Sequence, residues 1–320
     1  MRVMVADESL VERVLDDTYP VWHEGLSRDA YSKWSRGQLR TPWGREHLQR
    51  FVMLDDGGGH VASLKRYRHP VRLDGREGWM CGIGAVLTAP ASRGHGHASR
   101  LVEEVVERSR AEGALAAGLF SEIGTAFYER LGFSTVLLDE VSVHVTRRDG
   151  SPAMLVRAGD DRDLPALAAL HAVRAASARF ALRRDPALIQ YAIAKKRLFA
   201  GLSASGTRQL EFFVAEEGAS AVAYVVFSQN EYGWTLEEAG DRDPAGARLG
   251  AMLQVLLARE PSHREPVIRT WWPRAFPVPP QLTLSNQSDP KDVFMVRPLA
   301  DGVAVPAGPD DVFWWRSDYF

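Results

Sequence analysis

Arg93-Gly94-His95-Gly96-His97-Ala98 offers two glycines and other small residues where a helix begins. The first backbone N–H groups of a helix have no partner inside it. The helix dipole adds partial positive charge at the same end, so such a turn suits an anion, a pyrophosphate for example. Gly94 and Gly96 let the backbone approach that anion with no Cβ in the way. The chemistry indicated is the binding of a phosphate-bearing cofactor. Glycine pairs also serve ordinary turns, so the weight of the signal lies in what surrounds it.

Before the turn, Ile83, Ala85, Val86 and Leu87 form an apolar strand that closes at Thr88-Ala89-Pro90. After it, Leu101, Val102, Val105 and Val106 recur at helical spacing, with Glu103, Glu104, Glu107 and Arg108 on the opposite face. Gly113 ends that helix, and Ala114 to Leu119 reads as a short buried strand. Phe127, Tyr128 and Leu131 share one face of a last short helix capped by Gly132. Upstream, residues 9–36 read as two helical pieces broken around Tyr19-Pro20. Arg50 to Leu54 and Val61 to Tyr67 alternate as strands about the turn Asp56 to Gly59, with Val71 and Leu73 extending the second and Trp79 to Leu87 forming the third. Residues 135–146 read as a strand pair or one long strand.

These residues carry a resemblance. The segment resembles the GNAT acetyltransferase superfamily, whose acetyl-CoA signature Arg/Gln-x-x-Gly-x-Gly/Ala is met by Arg93, Gly96 and Ala98. The family's F-Y-x-x-L-G-F helix is matched by Phe127 through Phe133. The resemblance implies a mixed central sheet flanked by helices, acetyl-CoA as cosubstrate, and transfer of its acetyl group to an amine in a ternary complex. It implies that Gly94, His95, Gly96, His97, Ala98 and Ser99 surround the pyrophosphate with Arg93, and that Val86, Leu87 and Thr88 line the thioester, a backbone N–H of Val86 or Leu87 facing its carbonyl. Tyr128 stands where many members keep a tyrosine as general acid toward the leaving thiolate, or else packs against the pantetheine arm. Ser121 stands where many members have asparagine in contact with the cofactor. Glu122 is either an acceptor for the amine's proton or a first-turn glutamate favoured by the helix dipole.

Around Leu119-Phe120-Ser121-Glu122-Ile123-Gly124 the chain is also similar to fungal lysine N6-acetyltransferases of lysine catabolism, which implies free lysine or a similar small amine as acceptor. Other readings stay open: an aminoglycoside or polyamine acetyltransferase, or a non-catalytic acyl-CoA sensor that keeps the cradle without turnover. The end of the sequence, Asp310 to Phe320, is aromatic to its last residue. Burial of those rings accounts for it most simply. A sharper reading returns the tail to the first domain and puts the Phe320 carboxylate, or Asp318, at the catalytic centre. Multidomain bacterial aminoglycoside acetyltransferases related to this fold use a C-terminal carboxylate in this way.

The 320 residues suffice for two domains, and a net charge of −2 leaves no footprint for nucleic acid or an anionic membrane. A single cysteine, Cys81, excludes an internal disulfide and suits a reducing compartment; in its apolar strand it reads as a small buried hydrophobe. With no signal-peptide core and no run of membrane-spanning length, a cytoplasmic protein is expected. No metal site is expected, because His95-x-His97 lacks a third ligand. Trp271-Trp272 and Trp314-Trp315 read as packing, and Glu237-Glu238 as a solvated strand face. Oligomeric state is left undetermined.

From the polar break Arg147 to Pro152 onward the order of elements begins again, giving domains 1–150 and 151–320. Residues 163–178 and 185–200 read as helices, the first amphipathic through Leu164, Leu167, Leu170 and Val173. Strands over 210–215, 221–228 and 233–239, a helix over 249–258 and a strand over 267–272 follow. At the equivalent turn, Gly240 to Ala247, the glycine spacing is lost and carboxylates would face the pyrophosphate. The expectation is a second, degenerate GNAT-like domain that binds no cofactor and shapes the acceptor pocket.

Overall fold

Alternating strands and amphipathic helices give, in the computed structural model, two mixed sheets flanked by helices, described over residues 1–146, 154–261, 265–286, 292–306 and 308–320. In chain order the first elements are β1 (Arg2–Val5), α1 (Glu8–Trp22), α2 (Arg28–Arg40), α3 (Pro42–His47), β2 (Leu48–Leu54), β3 (His60–Leu73), β4 (Arg76–Thr88), α4 (His97–Ala111), β5 (Ala116–Ser121), α5 (Ala126–Glu129) and β6 (Ser134–Thr135). Then come β7 (Glu140–Val145), β8 (Val156–Ala158), α6 (Leu164–Ala175), β9 (Phe180–Leu182), α7 (Pro186–Leu202), β10 (Arg208–Glu217), β11 (Ser220–Asn230), β12 (Gly233–Asp241), α8 (Ala247–Leu257), β13 (Ile268–Trp271), β14 (Leu282–Asn286), β15 (Val293–Pro298) and β16 (Val312–Phe313).

The first sheet runs β1-β2-β3-β4-β5-β15-β6 and the second β8-β10-β11-β12-β13-β7-β14. Position by position the two agree. β4 and β5 are parallel, as are β12 and β13, and the other neighbours along each path are antiparallel. The mixed sheet flanked by helices expected from the sequence is therefore present, with a second sheet of the same order. The cut expected at residue 150 fares differently. The chain forms two compact units, Met1–Leu137 with Lys291–Ala307 and Phe320, and Leu138–Pro290 with Gly308–Tyr319. Each sheet takes its sixth strand from across residue 150: β15 (Val293–Pro298) lies between β5 and β6, and β7 (Glu140–Val145) between β13 and β14. An alternating apolar strand does not announce which sheet it joins, so a single linear cut was the wrong shape. The polar break itself, 147–152, lies outside the described residues.

In the first unit, Leu101, Val102, Val105 and Val106 of α4 pack on Phe51, Leu64, Cys81, Ile83 and Leu119 from one face of the sheet. On the opposite face, Leu10 and Val14 of α1 pack on Val52 and Leu54. Helix α1 continues through Pro20 to Trp22 instead of breaking there; the real break is the left-handed pair Glu24-Gly25. A proline two residues from the end removes one hydrogen bond from a turn already frayed. In the second unit, Leu164, Leu167 and Leu170 of α6 are buried as expected, while Val173 is exposed and His171 is buried. The four tryptophans Trp271, Trp272, Trp314 and Trp315 and the lone Cys81 are buried as expected. Glu237 and Glu238 are a correction: both are buried, bound to Lys196 and Arg184. Among the described residues no helix is long and apolar enough to cross a membrane.

Candidate active site

The parallel pairing of β4 with β5 extends from Met80–Ala116 only to Ile83–Leu119. Beyond that point β4 stays with β3 as far as Thr88, and β5 stays with β15 as far as Ser121. The two strands thus part in the middle of the sheet. The backbone of β4 from Gly84 onward presents an unpaired edge there, one able to receive an extended, amide-bearing chain. A β-bulge marks the same spot: Ser63 faces Leu87 and Lys65 faces Gly84, so Ala85 and Val86 together oppose Leu64. Ala85 takes φ of 50°. A left-handed alanine is strained by about 1–2 kcal/mol, and such strain gathers at functional sites. The bulge turns backbone groups of residues 85–87 out of the ladder, where they can meet a carbonyl oxygen.

Next to the wedge stands the glycine turn. Gly96, φ 75°, immediately precedes α4, and no side chain caps the helix. Among the described residues α1, α2, α3 and α7 do receive a side-chain cap, from Asp7, Ser27, Thr41 and Asp185. The first N–H groups of α4 are left for an outside acceptor, and no neighbouring atom lies within 4 Å of where a Cβ on Gly94 or Gly96 would stand. An open cradle of this kind fits a pyrophosphate. The Arg93 Nε donates to the Thr88 carbonyl at 3.3 Å, folding that side chain back on the end of β4. His95 and His97 stack with ring centres 5.7 Å apart. Among the described residues no group of three His, Cys, Asp or Glu gathers that could hold a metal.

Tyr128 on α5 is buried in the cluster that holds Leu101, Leu119 and Phe133, against which Val86 also packs. Burial pushes its phenol up to about 12, and the Glu122 carboxylate adds to the shift. It therefore keeps its proton throughout the neutral range. Glu122 is exposed on the turn after β5. Ser121 is buried, and its hydroxyl donates to the Gly124 carbonyl at 2.6 Å, closing that turn. The expected ligand contact of Ser121 thus competes with a structural hydrogen bond.

Phe320 belongs to the first unit. Its ring packs on Tyr67, His69 and Phe120 with centres 5.4, 4.7 and 5.3 Å away. Its carbonyl carbon and oxygen lie 3.3 and 3.2 Å from the place of a Cβ on Gly84, the residue before the bulge. Any larger residue at 84 would displace it. Sequence reasoning named the turn, Tyr128 and Phe320 but missed the bulge, Tyr67 and His69. Gly82-x-Gly84 inside an apolar strand was the available signal of a close approach.

Residues 12–136 match the model of a GNAT acetyltransferase domain. No curated protein matches the chain. Three solved structures are similar. A conserved Enterococcus faecalis protein of unknown function, a probable N-acyltransferase, is 14% identical with a TM-score of 0.68, over 93% of this chain and 72% of that one. A GCN5-related N-acetyltransferase of Kribbella flavida is 19% identical with a TM-score of 0.66, over 93% of this chain and 70% of that one. A GCN5-related N-acetyltransferase of Anabaena variabilis is 14% identical with a TM-score of 0.69, over 93% and 73%. At these identities the likeness is one of fold.

Proposed function

We propose that this chain is an N-acetyltransferase moving an acetyl group from acetyl-CoA to the amine of a small molecule, free lysine being the acceptor suggested by the sequence. The observation that carries this reading is the parted β4–β5 pair with its bulge at Ala85, beside an uncapped, unobstructed helix N-terminus at Gly96. When bound, acetyl-CoA supplies an activated thioester carbon open to direct attack by an amine. The first-turn N–H groups of α4 hold the pyrophosphate with Gly94 through Ser99. The unpaired edge of β4 aligns the arm, and an N–H of Val86 or Leu87 takes up charge developing on the carbonyl oxygen.

Tyr128 gives a proton to the departing sulfur. A phenol raised by burial is a weak acid, but a thiolate stripped of water in the same place is a stronger base than usual, so the two remain matched. Glu122 accepts the proton shed by the amine. We propose Phe320, whose carbonyl carbon and oxygen lie over Gly84, as the carrier of a second acceptor, its carboxylate.

Mass spectrometry of the protein incubated with acetyl-CoA and a mixture of lysine, other amino acids, polyamines and aminoglycosides tests the reading. A monoacetylated amine is expected. Tyr128→Phe should lower kcat by about 10²–10⁴-fold with CoA affinity retained. Tight CoA binding with no acetylated product from any amine would favour a sensor instead.

A further inference from the structure

Helix α2 turns an unusual stripe toward the sheet. Its buried residues beyond Ala30 are Tyr31, Ser35 and Gln38, polar where a core would be apolar. Beneath them, on the face of the sheet opposite α4, lie Arg50 of β2 and Ser63, Lys65 and Tyr67 of β3. Arg50 pairs directly with Lys65, and Lys65 with Gly84, so one cross-strand row leads from Arg50 to the residue beneath Phe320 and beside the bulge.

Arg50 is only 5% exposed. Its Nη2 has a long contact of 3.4 Å to the Ser35 hydroxyl, and its Nη1 is buried with no hydrogen-bond partner. Among the described residues no carboxylate pairs with it. One step along the same ladder, opposite Val52, the Ser63 hydroxyl is likewise buried without a partner. Lys65 adds a second positive charge, its ammonium 3.3 Å from the Gln38 carbonyl oxygen and over the Trp34 ring. Desolvation lowers the Arg50 pKa, opposed by Tyr31 and Tyr67. Burying a guanidinium with an idle N–H is costly, and a purely structural role would favour an apolar residue of similar size.

We propose that Arg50, with Ser63 and Lys65 beside it, anchors a carboxylate carried by the acceptor, so that the acceptor is an amino acid or another amine-bearing carboxylate. The inference rests on the acetyltransferase reading for the identity of the amine's fate, but on its own residues for the carboxylate. A planar guanidinium matches a carboxylate through two parallel N–H···O bonds, which would give the idle Nη1 its partner. Two neighbouring cations repel polyamines and aminoglycosides. The row from Arg50 to Gly84 spans two strand spacings, about 10 Å. An amine several bonds from the carboxylate reaches the bulge better than an α-amine.

The test uses matched pairs of probes: lysine against 1,5-diaminopentane and lysine methyl ester, and 6-aminohexanoate against its methyl ester. Thiol release from acetyl-CoA is followed alongside calorimetric binding of each probe to the CoA-saturated protein. The carboxylates should be favoured in kcat/KM by about 10- to 100-fold. R50M should erase that preference, chiefly through KM, with a melting temperature equal to or above that of the parent; R50K should restore part of it. Equal use of both members of each pair by the parent protein would overturn the proposal. So would an R50M protein that melts earlier yet keeps its KM for lysine, since Arg50 would then be structural. Lysine binding that is lost in R50M, without thiol release from any amine, would keep the anchor and refute the acetyltransferase. Absence of measurable binding by either carboxylate would refute the anchor whatever the turnover.

Discussion

The turns that open α4 and α8 are built on the same backbone device and filled in opposite ways. Gly96 precedes α4 with φ of 75°, and Gly246 precedes α8 with φ of 71°. Each follows a strand that runs parallel to its next neighbour, and each strand carries a bulge, at Ala85-Val86 in β4 and at Glu237 in β12. Around Gly96 the space is open. Around Gly246 it is occupied: the Asp241 carboxylate accepts the N–H groups of Leu249 and Asp243 at 2.8 Å each. Arg174 donates to the carbonyls of Asp241, Asp243 and Pro244. Pro279 stands 3.1 Å from the place of a Cβ on Gly246, and Gln281 fills the place of one on Gly250. The bulges differ in the same sense. In β12, Glu237 and Glu238 are buried and tied to Lys196 and Arg184, with Ser228 donating to Glu237 and Asp318 also facing Arg184. One fold thus holds two versions of a single turn, one left open and one satisfied from within.

The largest effect expected from this contrast is on ligand binding. Gly96→Val, a β-branched residue forced to positive φ at the cradle, should weaken CoA binding on the order of 100-fold. Gly246→Ala should leave CoA affinity unchanged and lower stability by about 1–2 kcal/mol. Titration calorimetry on both proteins reads the difference, and equal losses of CoA affinity would mean the two turns are not functionally distinct. Next comes Asp241→Ala, which strips two backbone donors of their acceptor and should cost roughly 2–4 kcal/mol in urea unfolding. CoA should still bind once per chain; a second equivalent would show that the carboxylate alone was closing the turn.

The smallest effect concerns the charges buried in the second unit. Burial pushes the Lys195 ammonium down to about 7, with neighbouring Lys196 adding to the shift. The unfolded chain, with an ordinary lysine, binds the proton more tightly, so this group's contribution to stability grows as pH rises above about 7 and is lost as pH falls through that value. Burial raises Asp318 to about 6, against the pull of Arg184. Its contribution has the opposite sign, present at low pH and lost as pH rises toward 6. Lys195→Met should therefore flatten the climb of stability between pH 7 and 9, by about 1 kcal/mol per pH unit at most. Urea unfolding at several pH values measures it, and an unchanged slope would mean that Lys195 is not buried as a charge.

How much of this could be read from the sequence depended on whether a residue's role was local. The turn at Gly94 and Gly96, the stripe of α4 and the cap at Gly132 are properties of a few neighbouring residues, and they stood out. Ala85 gives no such sign, because its positive φ is imposed by the register of β3 on β4 and any residue is compatible with a bulge on paper. Arg50 and Glu238 look solvated in one dimension, since charged residues in strands usually are. Only the packing of α2 over the sheet, and of Arg184 against Glu238, buries them. Phe320 was legible as an anomaly, an aromatic end to the sequence, but its resting place over Gly84 was not.

The reciprocal placement of β7 and β15 has a consequence for how the molecule comes into being. An emerging nascent chain can assemble β1 through β5 and α4, but β5 then has no partner on its outer side until residues 293–298 arrive. Contacts so distant along the chain slow folding, because their closure entropy must be met before any reward returns. Until then β5 is an open edge, the kind that joins neighbouring chains. Residues 138–290, nearly all of the second unit, must be made before β15 can complete the first sheet, so the maturation of the glycine cradle's own sheet waits on the synthesis of the other unit.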